Sequence, residues 1–250
     1  MKRYNKGFLS LCLMSAGLSA CGGGGDGGSD DSNIAGTGSP YAFVPPVVHS
    51  SRVYAETVVD NSNNTINLGY MATVLSVAAD GTITEQLQST SGAGNTVNGT
   101  DYSVTSETQS YNSFGRETGF AYTESDGSPG SCTYAPYAGG PMPPLTVGQT
   151  WQIDYTETCN ANPAIHYSQN GTVVDVESVT VPAGTFTALK LQSTVIWTNN
   201  TGTTHTQKTT NWLDTASFHS VKELATFVDT GTAPVNGYAV SRETDLQSSS

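Results

Sequence analysis

From Tyr41 onward the apolar and polar positions of the chain alternate with a period of two. In "TWQIDYTET", Trp151, Ile153 and Tyr155 fall on one face, against Gln152, Asp154 and Thr156 on the other. "ALKLQSTVIW" repeats the pattern, with Leu189, Leu191, Val195 and Trp197 opposed to Lys190, Gln192 and Thr194. Such alternation predicts strands with one buried face and one wet face. Asp80-Gly81, Asn98-Gly99, Asp126-Gly127, Asn170-Gly171 and Asn236-Gly237 are dipeptides that accept the positive φ angles of tight hairpin turns. "INLGYMATVLSVAADG" would also suit a helix through Leu68, Met71, Ala72 and Leu75, but its β-branched Thr73, Val74 and Val77 favour a strand. The reading is about eleven strands between Arg52 and Leu246 and no helix. So many antiparallel strands must hide their edges, which predicts an all-β barrel, half-barrel or sandwich over residues 41–250. The alternative is two halves meeting at "CTYAPYAGGPMPP", where Pro129, Pro136, Pro141, Pro143 and Pro144 interrupt strand pairing.

The first 40 residues follow another rule. Lys2, Arg3 and Lys6 precede the apolar "GFLSLCLMSAG", and small residues lead to Cys21. That run is too short for a helix to cross a hydrocarbon layer of roughly 30 Å, so residues 1–20 read as a signal peptide rather than an anchor. "LSAC" resembles the lipobox of bacterial lipoproteins, in which the signal is removed before the cysteine and the cysteine is acylated. The resemblance implies lipidation at Cys21 and a membrane as partner through that anchor. Residues 21–40 form a Gly/Ser/Asp tether with almost nothing to bury, and its Gly22–Ser39 stretch spans on the order of 25 Å as a coil. Asp26, Asp30 and Asp31 read as solvating charges, since no ordered loop gathers the oxygens that calcium needs. By the same resemblance, Gly22 rather than an acidic residue after the cysteine implies delivery to the outer membrane.

Removing the signal takes three of the nine Lys and Arg and leaves all 21 Asp and Glu, so six cations face 21 carboxylates, a net of −15. Nucleic acid is therefore not an expected partner, because its phosphates require Lys and Arg clusters. With Cys12 lost and Cys21 acylated, Cys132 and Cys159 are the two thiols left for an oxidising compartment, and a disulfide between them is expected.

The chemistry-bearing residues are sparse. No GxSxG, HExxH or phosphate-binding GxxxxGK occurs. His49, His166, His205 and His219 are scattered. A hairpin turning near Thr215 would set His205 opposite Ala225 and His219 opposite Asn211, too far apart to share a metal. No metal or cofactor is expected, and the chain reads as a non-enzymatic binding protein for an apolar or amphipathic ligand or an envelope component. The candidate ligand-lining residues are Trp151, Tyr155, Trp197 and Trp212, for which plain core packing is the competing explanation. A structural or adhesive role and a hydrolase without a known motif are the alternatives. A hydrolase would require a His, a carboxylate and a hydroxyl converging in a cleft.

A second resemblance rests on "PLTVGQTWQIDY", "GTVVDVESVTVPAGTFTALKL" and "TTNWLDTASFHSVKE". These segments are similar to an uncharacterised family of bacterial envelope β-domains that share a "PLxVGxxW" start, a "VPAGTFxAxK" hairpin and a closing "W…VK" strand, here within residues 144–224. The family usually has a glycine-containing turn before the final "VK", where this chain has "DTASFHS". The resemblance implies an antiparallel β domain, related in shape to half-barrels that carry lipids or lipoproteins across the periplasm.

Overall fold

The computed structural model describes residues 40–92, 95–97, 100–102, 106–123, 127–160, 162–200, 202–231 and 239–250. The signal peptide, Cys21, nearly all of the tether, and the turn residues Asn98, Gly99, Asp126, Asn236 and Gly237 lie outside them. The strands are β1 (Ser51–Asp60), β2 (Thr65–Val77), β3 (Ile83–Ser91), β4 (Asn95–Val97), β5 (Thr100–Tyr102), β6 (Ser106–Tyr111) and β7 (Glu117–Thr123). They continue as β8 (Pro129–Ala138), β9 (Thr150–Cys159), β10 (Ile165–Val181), β11 (Gly184–Thr198), β12 (Thr204–Asp214), β13 (Ser220–Thr230) and β14 (Ala239–Ser249). Among the described residues twelve of these close an antiparallel barrel, and β4 and β5 pair separately. The ambiguous "INLGYMATVLSV" segment is strand β2, paired with β1 on one side and β3 on the other.

Closure comes from the two ends of the barrel sequence. β1 pairs with β14 from Arg52↔Ser249 to Asp60↔Ala239, which closes the barrel on itself. The proline-rich β8 does interrupt the ladder: it meets β9 only from Cys132 to Ala135, and its register with β7 jumps between Gly119↔Thr133 and Glu117↔Ala138. A proline nitrogen donates no hydrogen bond, which accounts for the gap. The barrel nevertheless runs across this segment and does not divide there. Cys132 and Cys159 sit directly opposite on β8 and β9 and are joined by a disulfide. Closing a loop of that size contributes about 3.5 kcal/mol in the chain-entropy picture.

One barrel end is stoppered. Antiparallel order brings the β2–β3, β6–β7, β8–β9, β10–β11 and β12–β13 connections to the same end as the start of β1. There Tyr41 exchanges two backbone hydrogen bonds with Leu145, each 2.8 Å. Phe43 packs against both Leu145–Phe218 and Val74–Ile83–Tyr111. The "VPAGTF" hairpin between β10 and β11 covers the rest. Val179 and Val181 join Tyr54, Val221 and Leu246 in one cluster, and the Ala183 N–H donates to the Leu246 carbonyl at 3.2 Å.

The outer wall carries Asp154, Lys190, Lys208, Lys222, Glu243 and Asp245 among Thr, Gln and Ser, on the strand positions opposite to those that fill the lumen. Ile196, Leu224 and Val228 are exposed among them.

Candidate functional site

The lumen is not packed with aliphatic side chains alone. Strands β9 to β12 present Trp151 and Tyr155, then Tyr167 and Gln169, then Leu191, Ser193, Val195 and Trp197, then Gln207, Thr209 and Asn211, all to one cavity. Arg116, Gly139, Gly140 and Glu223 border it too. The cavity measures about 70 Å³ and is partly open to solvent. A space that admits benzene measures about 150 Å³, so this one suits a few small polar atoms rather than an acyl chain.

Strand pairing explains the lining. Residues opposite one another share a face, and Tyr155↔Tyr167↔Trp197↔His205 is one such row around the wall. Their rings stack in series. Tyr155 and Tyr167 are 4.9 Å apart and nearly parallel at 5°, Tyr167 and Trp197 are 5.5 Å apart, and Trp197 and His205 are 5.0 Å apart at 18°. Tyr134 and Phe120 extend the row to β8 and β7. Because most ring faces are turned on one another, the lumen receives ring edges and polar tips. The next row, Ile153↔Gln169↔Val195↔Gln207, places two amides side by side with two aliphatic groups. Gln169 is only 6% exposed and lines the cavity. The buried Trp151 indole N–H meets no acceptor among the described residues.

The ionised groups at the cavity have protein partners. The Arg116 guanidinium donates to the Pro141 carbonyl. Glu223 accepts from Arg242 at 2.5 Å and from Asn211 at 3.3 Å. Glu56 is the second carboxylate beside Arg242, 4.0 Å away, and burial raises its pKa despite that guanidinium. On the far wall Arg52 and Glu85 form a buried pair at 2.6 Å. Such pairs are costly to desolvate and costlier to break.

Of the residues singled out from sequence, Trp151, Tyr155 and Trp197 line the cavity, whereas Trp212 does not. Asn211 and Leu213 line the cavity, and the intervening Trp212 turns away from it and belongs to the buried cluster that includes Val179, Val181 and Ala188. There it donates to Glu177 at 2.6 Å and receives the Lys190 ammonium over its ring. Strand alternation, not aromatic character, decides which tryptophan reaches the lumen.

The expected register of the β12–β13 hairpin is corrected by four residues: His205 pairs with Asp229 and Asn211 with Glu223. The cause is the longer turn 215–219. Asp214 and Ser217 hold it together, and Phe218 adopts φ 58° within it. His205 Nδ1 donates to Asp229 at 2.7 Å, while Nε2 accepts from Asn199, whose oxygen is occupied by the Thr203 N–H.

The turn does gather a hydroxyl, an imidazole and a carboxylate, in an order unsuited to nucleophilic attack. Ser217 lies between the other two, donating to Asp214 and accepting from His219 Nδ1 at 2.6 Å. The imidazole is therefore a donor to the hydroxyl and not its base. Burial, with a contribution from Arg52, pushes the His219 pKa down to about 3. Glu157 stands close to Cys132 and Cys159, but the disulfide leaves that group no thiolate to bind a metal.

Sequence reasoning overlooked Gln169, Gln207, Asn211, Arg116 and Glu223. The signal present was parity: Gln169 and Gln207 occupy the same alternate positions as Tyr167 and His205.

No family model matches the chain, and no curated protein does. Among solved structures it is similar to an exported protein with a YmcC-like fold from Bacteroides fragilis, at 12% identity and TM-score 0.47, over 84% of this chain and 99% of that one. It is also similar to a lipoprotein of Parabacteroides distasonis, at 12% identity and TM-score 0.46, over 85% and 100% of the two chains. A third is the hypothetical lipoprotein YmcC of Escherichia coli, at 10% identity and TM-score 0.38, over 77% and 85%.

Proposed function

We propose that this chain is a lipid-anchored protein of the bacterial outer membrane, held through Cys21, that binds an envelope component in its barrel without transforming it. The anchor reading rests on the basic leader, the short apolar run and "LSAC" followed by a Gly/Ser/Asp tether. The binding reading rests on one observation above all: the Trp151 indole N–H is buried, belongs to the cavity wall and meets no acceptor among the described residues. An unsatisfied buried donor costs free energy that a bound molecule would recover. An apolar ligand, the form of this reading that composition favoured, fits poorly in about 70 Å³ of mixed polar lining. A structural role is the second reading, and the stoppered barrel end favours it.

The test is native mass spectrometry of the full chain, extracted in detergent from membranes of a Gram-negative host. The expected spectrum shows an acylated N-terminal Cys21 and a bound small molecule released on unfolding. An N-terminus elsewhere, without acyl mass, would overturn the anchor. A protein that carries nothing and takes up nothing from an envelope extract would leave the structural role in its place.

A further inference from the structure

We propose that the lumenal cavity takes a neutral, hydroxyl-rich ligand: the vicinal-diol edge of a polyol or of a sugar ring. This deepens the binding reading above and rests on it. Three observations carry the choice of class. First, the ionised groups at the site already have protein partners, Arg116 donating to the Pro141 carbonyl and Glu223 accepting from Arg242 and Asn211. An ionic ligand would bring an uncompensated charge into a buried wall. Second, the groups directed inward are amides and hydroxyls, Gln169, Gln207, Asn211, Ser193 and Thr209, gathered around about 70 Å³. Side chains of these types can both give and accept a hydrogen bond. Asn211 already serves Glu223 and Ser220, and Gln207 donates to Thr209, so Gln169 and Ser193 are the two-way groups that face the space, a pair that matches adjacent hydroxyls on one ligand. Third, the ring row offers edges and tips rather than open faces, and the nearby Trp151 N–H lacks an acceptor. An oxygen-rich ligand supplies acceptors to both, whereas a flat apolar ring would find few faces free to stack on. The cavity is partly open, so the rest of such a molecule can extend beyond it.

The experiment titrates the full lipidated chain in detergent with sorbitol, glucose, galactose and short galactose-terminated oligosaccharides, with glucuronate and glucosamine as charged probes and laurate as the apolar one. Tryptophan fluorescence and calorimetry provide the readouts. The expected result is saturable binding of at least one neutral probe, weakened about tenfold or more by Gln169→Leu. The outward-facing Gln152→Leu leaves it unchanged, and matched thermal melts certify the fold of both variants. Binding of a free monosaccharide or polyol identifies a soluble ligand. Binding restricted to short oligosaccharides with a terminal neutral hexose identifies an envelope glycan, and both outcomes support the class. Charged or apolar probes binding as well as neutral ones would overturn the ligand class while leaving the binding reading intact. If no probe binds and native mass spectrometry finds the protein bare, the cavity holds water only and both readings fail.

Discussion

The Trp151 indole lies over Gly171 so closely that a methyl group there would come within 2.2 Å of the ring. The two residues are register partners on β9 and β10, and only the missing side chain of one lets the other lie flat against the wall. Gly171→Ala should therefore push the indole into the cavity. We expect a loss of about 2 kcal/mol, seen as a drop in melting temperature of roughly 4–8 °C, with altered tryptophan emission. An unchanged melt and spectrum would show that the ring lies elsewhere.

Phe218 combines an unfavourable backbone angle, φ 58°, with a wholly buried ring set edge-on to Phe43 at 6.2 Å. Burial of the ring must offset the backbone cost. Phe218→Ala should thus destabilise by about 3–5 kcal/mol, measured by urea unfolding. Phe218→Gly, which relieves the backbone, should be no worse than the alanine variant.

His219 supplies an acid sensitivity. Its folded pKa of about 3 lies below the unfolded value of about 6.5. The unfolded chain therefore binds the proton first as pH falls, and stability is lost from about pH 6.5 down towards pH 3. His219→Asn keeps a donor for the Ser217 oxygen and removes the titration. Its stability between those pH values should fall less steeply than that of the parent, and equal slopes would sink the assignment.

The two carboxylates beside Arg242 should behave oppositely. Glu223 makes the close contact, so Glu223→Gln should cost about 3–5 kcal/mol at pH 7. Glu56 is farther from the guanidinium and has a raised pKa, so its ionisation opposes folding as pH climbs through the folded value. Glu56→Gln should be neutral or stabilising at pH 7 and should flatten that decline. Chemical denaturation of both variants at pH 5 and pH 8 checks the pair.

The strands with polar outer faces were legible in the sequence, because "TWQIDY" and "ALKLQSTVIW" alternate cleanly and fill the lumen as their pattern requires. β1 was harder to orient. "SRVYAETVVD" carries Val53, Ala55 and Val59 outward and Arg52, Glu56 and Asp60 inward, so hydrophobicity alone nearly inverts its faces. Those buried charges are stabilised by partners such as Glu85, 33 positions away, which no local window contains. The same holds for the site. Trp151, Tyr155 and Trp197 could be picked out as aromatic, but Gln169 reads as one more polar residue until the wall closes around it. The turn 215–219 was misjudged because its left-handed residue is a phenylalanine, whose compensation comes from Phe43, far upstream.

The seam between Ser51 and Ser250 has a temporal meaning. The first strand of the wall finds its second neighbour only when the last eleven-residue strand arrives, and the two chain ends then exchange backbone hydrogen bonds of 3.0 and 2.9 Å. Sealing the cylinder therefore waits on pairing between its most distant strands, β1 and β14, and a contact of such high sequence separation makes closure a late and slow event in folding.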